Sequence, residues 1–545
     1  MNPSIKAKIF LIFILILSLF LRLFRVSTLP PALFADEVDA GYQAMIFNQN
    51  KTDYFGNKFP VHFHSFSDWR TSLYIYSISF FQNITNNSDI AIRLPSVVFS
   101  VVSVYLFYLL TNSLLASFLL AISPWSIHYG RIGFEVSGML MCLLAGIYFW
   151  KKYSQKSSLK HLLLSIFFFA LSPYFYSTSK LFLLILALLI FIIWFSKIIK
   201  IKASHLITAI IWGLLLLTPL VIDTLKGQAG FRFSYISIFS DPQISKTVDY
   251  QRYRDIYTTH QGETGVQTPI TSKIFHNKYN LILDKFIINY FSSFSTDFLF
   301  INGDQNTRHG FGNHGLLYYL DFFLIIFGLI NILKNRRSDK IGILFIWILI
   351  LAPIPFALTR DSLGPHATRL ILMLPSLIYL SYQGVLYLKY IFKWSLPIII
   401  VLYLISLSSF WHYYNFDYPQ ESAMTWHAGM KEAVLAAKNY QLPTYFSNAY
   451  EPFLPFFLYY QPYLPTTAPT ENIKYLSSNY FDGSTIDNQY FFGNINWSSI
   501  SEINKASLFV VPGTSLSEVP KNLKLLEKID KKYINAQDFY LYTNE

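Results

Sequence analysis

Charge is what this sequence has least of. Asp, Glu, Lys and Arg together make up 14% of its 545 residues, and hydrophobic residues make up 53%. A soluble domain carries about 25% charge, so the balance excludes both a soluble cytosolic enzyme and a disordered chain. Cysteine is nearly absent. Cys142 alone, inside an apolar run, excludes an intramolecular disulfide framework and a Cys-rich zinc site. There is no internal repeat, no Asp-x-Asp motif and, in the last part of the chain, no Gly-rich phosphate loop, which argues against a nucleotide site there. The first apolar run, about 9–26, is followed by Leu29-Pro30-Pro31 and not by a small-residue cleavage site, so it reads as an uncleaved first span.

What is abundant points to a membrane. Aromatics reach 18%, and the formal net charge is +12. Much of the Lys and Arg sits in short blocks between apolar runs, which is membrane topology and not a nucleic-acid footprint. A bilayer-crossing helix needs roughly 20 mostly apolar residues. Beyond the first run, segments at about 93–111, 113–129, 133–150, 160–177, 181–197, 204–224, 315–333, 341–358, 368–388 and 394–412 qualify, which makes about eleven spans. Basic blocks fall on alternate loops: Lys6 and Lys8; Lys151, Lys152, Lys156 and Lys160; Lys197, Lys200 and Lys202; Lys334, Arg336, Arg337 and Lys340; Lys389 and Lys393. The positive-inside rule then puts the N-terminus in the cytoplasm and four segments outside: about 27–92, 129–135, 225–314 and the tail 413–545. The tail alternates short apolar runs at 444–446 and 508–511 with helical-looking stretches at 428–440 and 523–531, which predicts a small α/β domain on the outer face. The expected architecture is an α-helical polytopic membrane protein: residues 1–412 form the transmembrane unit and 413–545 the extracytoplasmic domain.

Polar residues at the outer lips carry the chemistry. Asp36-Glu37 follow the first span; Asp36, Asp39 and Gln43 share one helical face and Glu37 points elsewhere. Two roles fit the acidic pair: complementing a helix dipole, for a few tenths of a kcal/mol, and catalysis. Arg131 and Glu135 stand at i, i+4 and can pair on a helix face; at the lip of an apolar helix they are also expected to face a polar cavity and not lipid. Arg70, Arg93, Arg308 with His309, His366 and Arg369 occupy outer or lip positions, where each can snorkel or offer donors to phosphate oxygens. His62 and His64 form a His-x-His pair with no further ligand in view, and read as an ordinary loop pair.

This constellation resembles the membrane-embedded GT-C glycosyltransferases, in the branch of the protein O-mannosyltransferases and the lipid A aminoarabinose transferase. The pattern is Asp36-Glu37 after the first span, Arg70-Thr71-Ser72-Leu73-Tyr74, Arg93-Leu94-Pro95-Ser96 opening the second span, Ser123-Pro124-Trp125 with Arg131 and Glu135, then His366 and Arg369 before a late span. Thr71-Ser72 depart from the family's usual Pro-Pro or Thr-Pro. The resemblance implies an inverting transfer of sugar from a polyprenyl-phosphate carrier to an acceptor hydroxyl or phosphate at the outer face. It implies Asp36, Glu37 and Glu135 as catalytic carboxylates, with Asp36 the base. Arg70, Arg131, Arg308, His366 and Arg369 become donor-phosphate ligands, and Tyr42, Tyr74 and Tyr76 candidates for the sugar pocket. The expected partners are the lipid-linked donor, an envelope glycan, lipid or protein acceptor, and the bilayer of the plasma (inner) membrane; no nucleic acid is expected. No residue is assigned to a metal, and nothing in the sequence supports a divalent cation. A polysaccharide polymerase or ligase and a secondary transporter of lipid-linked glycan are the alternatives. The charges at the lips, and the lack of two-fold sequence symmetry, disfavour the transporter.

Overall fold

The computed structural model describes residues 5–66, 68–85, 88–226, 235–260, 267–335, 339–360, 364–449, 451–462 and 469–545. Arg336 and Arg337 of the fourth basic block lie outside them. The chain is mostly helical up to the tail. The first helices are α1 (Ile5–Leu23), α2 (Ala35–Asn50), α3 (Ser72–Ile84), α4 (Ser88–Thr111), α5 (Leu114–Ile122), α6 (Pro124–Tyr129), α7 (Val136–Lys156), α8 (Leu159–Phe175) and α9 (Thr178–Ile193). They are followed by α10 (Phe195–Ile198) and α11 (Ala203–Leu225). Among the described residues five helices are long and apolar enough to cross a membrane: Asp89–Thr111, Ala203–Leu225, Lys340–Ala357, Ala367–Ile391 and Ser395–Phe416. These coincide with five of the eleven expected spans. The rest are helical too, but α8 and α9 are shorter apolar helices.

The expected span at 113–129 is two helices, because Pro124 has no amide N–H to continue the first. Instead α5 ends at Ile122 and Pro124 opens α6 from its first turn, where a missing N–H costs nothing. Helices α11 and Ser395–Phe416 leave most of their apolar side chains exposed, as lipid-facing helices do, whereas Ala367–Ile391 is largely buried. The helices Tyr319–Lys334 and Leu374–Ile391 cross at Gly328 and Gly384. A Cβ at either would run into the opposing backbone, so close approach depends on both glycines.

In the tail seven strands form one sheet in the order β4-β5-β6-β3-β7-β9-β8. They are β3 (Thr444–Ser447), β4 (Ile473–Ser477), β5 (Phe481–Ile486), β6 (Tyr490–Ile495), β7 (Leu508–Pro512), β8 (Lys524–Ile529) and β9 (Phe539–Thr543). The two short apolar runs read from sequence are β3 and β7, which pair in parallel at its centre. The stretch 428–440 contains a helix, Met430–Ala437, but 523–531 holds strand β8, not a helix. Pairing with β9 at the sheet edge overrides its weak helical pattern. A two-stranded hairpin, β1 (His62–His64) with β2 (Trp69–Thr71), lies between α2 and α3. The His-x-His pair is therefore a strand and not a loop. His62 Nδ1 contacts Asp223 and His64 stacks between Phe55 and Trp69, so the two rings have separate partners.

Candidate active site

The linker between α1 and α2 organises the polar residues at this end of the helical bundle. Two buried arginines clamp it. Arg131 Nη1 donates to the Leu21 carbonyl at 2.6 Å, and its Nη2 to those of Phe24 and Leu29 at 2.6 and 3.2 Å. Burial lowers the Arg131 guanidinium to about 10. Arg93 donates to the carbonyls of Val26, Pro30 and Ala32 at 2.9, 3.1 and 2.6 Å. Its remaining donors grip Glu37 from two directions, Nε to Oε1 and Nη2 to Oε2, each 2.9 Å. The Gly133 amide adds a 2.7 Å bond to Glu37 Oε1. Glu37 and Arg93 are both fully buried. An irregular linker beneath a membrane surface must satisfy its carbonyls, and the planar five-donor fork of arginine does so at several oxygens at once.

That clamp sets where α2 begins and hence where Asp36 stands. The helical-face reading holds: Asp36 and Asp39 turn to the same cation while Glu37 turns inward to Arg93. Arg70, on β2, donates through Nη2 to Asp36 Oδ1 at 2.7 Å, and its Nε lies 2.5 Å from Asp39 Oδ2. Tyr54 Oη and Ser65 Oγ donate to Asp39 at 2.8 and 3.1 Å, which fixes that carboxylate behind the arginine. Burial disfavours the Arg70 charge, but Asp36, Asp39 and Glu135 outweigh it and hold the guanidinium well above its ordinary range.

Asp36, Arg70 and Glu135 open into a cavity of about 260 Å³. Arg308, His366 and Arg369 complete its wall together with Asp68, Tyr176, His309 and Thr368, and Phe34, Gly133 and Phe134 supply the apolar side. Six residues singled out in the sequence, spread over 330 positions, thus share one space: Asp36, Arg70, Glu135, Arg308, His366 and Arg369. Arg308 lies over the Phe34 ring at 5.2 Å, and its carbonyl bonds His128 Nε2 at 2.9 Å. Arg369 Nη1 donates to Thr359 Oγ1 at 3.0 Å. Tyr129 Oη pairs with Thr368 Oγ1 at 2.7 Å and donates to the His309 carbonyl at 3.2 Å, tying the two basic loops together. Burial, reinforced by Arg308, pushes His309 down to about 3, so its imidazole is neutral.

Five expected site residues do not line the cavity. Glu37 and Arg131 are spent on the linker, as above. Tyr42 is buried against Tyr54, with ring centroids 5.3 Å apart. Tyr74 Oη donates to the Ile92 carbonyl at 2.9 Å, and Tyr76 Oη to that of Pro60 at 2.7 Å, both as packing groups. The sequence names His309 beside Arg308 without a role of its own, and gives no role to Asp68, Tyr176 or Thr368. Their signal was adjacency: each neighbours a chosen polar residue or closes a helix that ends at the cavity. The tail also reaches this region. Trp426 packs edge-on against Phe34 at 5.4 Å, and the Ala35 amide donates to His427 Nδ1 at 3.3 Å.

Residues 70–222, from the Arg70 segment through α11, match the family model described as dolichyl-phosphate-mannose-protein mannosyltransferase. The match covers 153 of the 545 residues, the stretch that carries Arg70, Arg93, Arg131 and Glu135. The oligosaccharyltransferase AglB from Archaeoglobus fulgidus, solved with an inhibitory peptide and a dolichol-phosphate, is 13% identical with a TM-score of 0.46 over 87% of this chain and 61% of that one. The apo oligosaccharyltransferase of the same organism is 12% identical, with a TM-score of 0.47 over 99% of this chain and 74% of that one. Apo ArnT from Cupriavidus metallidurans is 9% identical, with a TM-score of 0.41 over 99% of this chain and 98% of that one. This chain thus spans less than two thirds of the length of the first of these. No curated protein matches it.

Proposed function

We propose that this protein transfers a sugar, with inversion, from a polyprenyl-phosphate carrier to a hydroxyl or phosphate of an envelope acceptor. On this reading it is a multi-pass protein of the plasma membrane, with a cytoplasmic N-terminus, about eleven spans and an extracytoplasmic domain at 413–545. The observation that carries the reading is the shared cavity: two carboxylates, Asp36 and Glu135, face three arginines across a space lined by the segment that the family match begins with.

The chemistry follows from that geometry. The acceptor oxygen attacks the anomeric carbon, its proton passes to Asp36, and the bond from that carbon to the phosphate oxygen breaks. The leaving group is a lipid phosphate, so no strong general acid is needed. Cations placed where its charge develops lower the barrier, and Arg70, Arg308 and Arg369 are the groups for that role. Glu135 holds Arg70 charged and orients it. The tail supports the site from behind, through Trp426 on the lining residue Phe34 and His427 on the Ala35 amide.

The test is chemical. Membranes containing the protein should release undecaprenyl phosphate from an undecaprenyl-phosphate hexose, and membranes from a deletion strain should not. Mass spectrometry of the envelope should show one hexose-bearing product missing from that strain. An unchanged envelope, with no carrier release by the protein, would refute the reading.

A further inference from the structure

We infer that Asp304, His309 and His366 form a binding site for one divalent transition-metal ion of the zinc class, bridging two outer loops at the cavity wall. The inference stands apart from the sugar-transfer reading, and it changes the sequence-based expectation that no residue is a metal ligand. One carboxylate oxygen and two imidazole nitrogens, one from each residue, all lie within 4.8 Å of one another. Around a tetrahedral zinc with bonds of about 2.0–2.1 Å, neighbouring ligand atoms stand roughly 3.3 Å apart. Asp304 Oδ2 and His309 Nδ1 are already 3.8 Å apart. Closing the set onto one ion brings ligand atoms that lie within 4.8 Å of one another to about 3.3 Å, a shift of at most about 1.5 Å.

The loops are built to hold this arrangement. Asp304 Oδ1 accepts from the Asn306 amide at 2.9 Å, and Oδ2 from the Ala367 amide at 2.8 Å, so the carboxylate joins the loop carrying His309 to the one carrying His366. Gly303, with φ of 78°, turns the chain into the first loop. Gly310 lies against the Asp304 backbone so closely that a Cβ there would meet the Asp304 nitrogen at 2.7 Å. The His309 and His366 rings stack with centroids 4.2 Å apart, which puts two imidazoles side by side at the same carboxylate.

A purely structural role for Asp304, as a staple between loops, accounts for its two amide bonds. It does not account for two imidazoles converging on it. A mixed set of nitrogen and oxygen donors favours zinc, cobalt or nickel over magnesium or calcium, which take oxygen ligands. His309 and His366 line the cavity, so an ion held by them would lie at the cavity wall. Arg308 and Arg369 in the same wall oppose a dication and weaken its binding.

The test uses full-length protein in detergent, without a histidine tag, stripped with a chelator and titrated with Zn²⁺. Calorimetry and elemental analysis should find one zinc per chain. Co²⁺ in its place should give the visible absorption bands of a tetrahedral nitrogen- and oxygen-ligated ion. The double variant His309→Gln/His366→Gln should bind at least tenfold more weakly and lose the Co²⁺ bands while melting as the stripped wild type does. His366→Gln alone gives the same readout should the double variant not fold. Absence of stoichiometric zinc on the wild type, or undiminished binding by either variant, overturns the inference.

Discussion

Glu37 is the residue for which the structure makes the sharpest demand. It stands next to Asp36 in sequence, yet every contact it makes is structural. Replacing it with Gln keeps the shape, removes the charge and leaves Arg93 buried without its counter-ion. Breaking a buried pair in this way costs about 3–5 kcal/mol. Arg93→Met should cost more. It not only strands Glu37 but also releases the carbonyls of Val26, Pro30 and Ala32, each an orphaned buried group at about 1–3 kcal/mol. In detergent-solubilised protein, followed by intrinsic fluorescence on heating, Glu37→Gln should lower the melting temperature by roughly 3–4 °C, and Arg93→Met by more. The two should be strongly non-additive, because once either partner is gone the other's charge is already stranded. Residual sugar transfer by Glu37→Gln should track the folded fraction. A Glu37→Gln protein that melts like the wild type but is inactive would refute the structural assignment and return Glu37 to the chemistry.

The remaining predictions can be checked with the same preparations. Gly133→Ala sets a methyl 2.9 Å from Glu37 Cγ and 3.0 Å from Ile92 Cγ2, so it should destabilise by about 1–3 kcal/mol, read as a lower melting temperature. Arg70→Lys keeps a positive charge but cannot reach Asp36 and Asp39 together through a planar fork; transfer should fall at least tenfold with the melting temperature little changed. Burial, and next Arg308, push His427 down to about 3. A group with a lowered folded-state value contributes stability that is complete above its unfolded value of about 6.5 and is lost as pH falls from there toward about 3. The wild type should therefore lose up to about 2 kcal/mol between pH 6.5 and pH 5 from this residue, and His427→Gln should flatten that part of the melting-temperature profile.

Much of this was legible in the sequence because it is local or chemical in kind. The i, i+3, i+7 spacing after the first span put Asp36 and Asp39 on one face, and the structure has both on Arg70. Polar residues at the lips of apolar helices had to be sheltered from lipid, and six of them share a cavity. The apolar runs at the centre of the tail's sheet were visible as β3 and β7. The rest depended on partners far along the chain. Nothing near Arg131 announces that it binds carbonyls about a hundred residues earlier, so its spacing from Glu135 suggested a helix-surface pair. Strand β8 looks helical until β9 pairs with it. Pro124 was in plain view, but the apolar run around it masked the break it makes. His309 stands out in the sequence only as a basic neighbour of Arg308, and its place beside Asp304 and His366 is invisible there because His366 arrives from another loop.

The most direct test of the central claim is sugar transfer by Asp36→Asn protein in liposomes loaded with a radiolabelled undecaprenyl-phosphate sugar and envelope acceptor. Carrier binding is measured on the same sample. The account predicts a loss of at least about a hundredfold in transfer, the scale of a missing general base, with the carrier still bound at wild-type affinity. Transfer at the wild-type rate would contradict it.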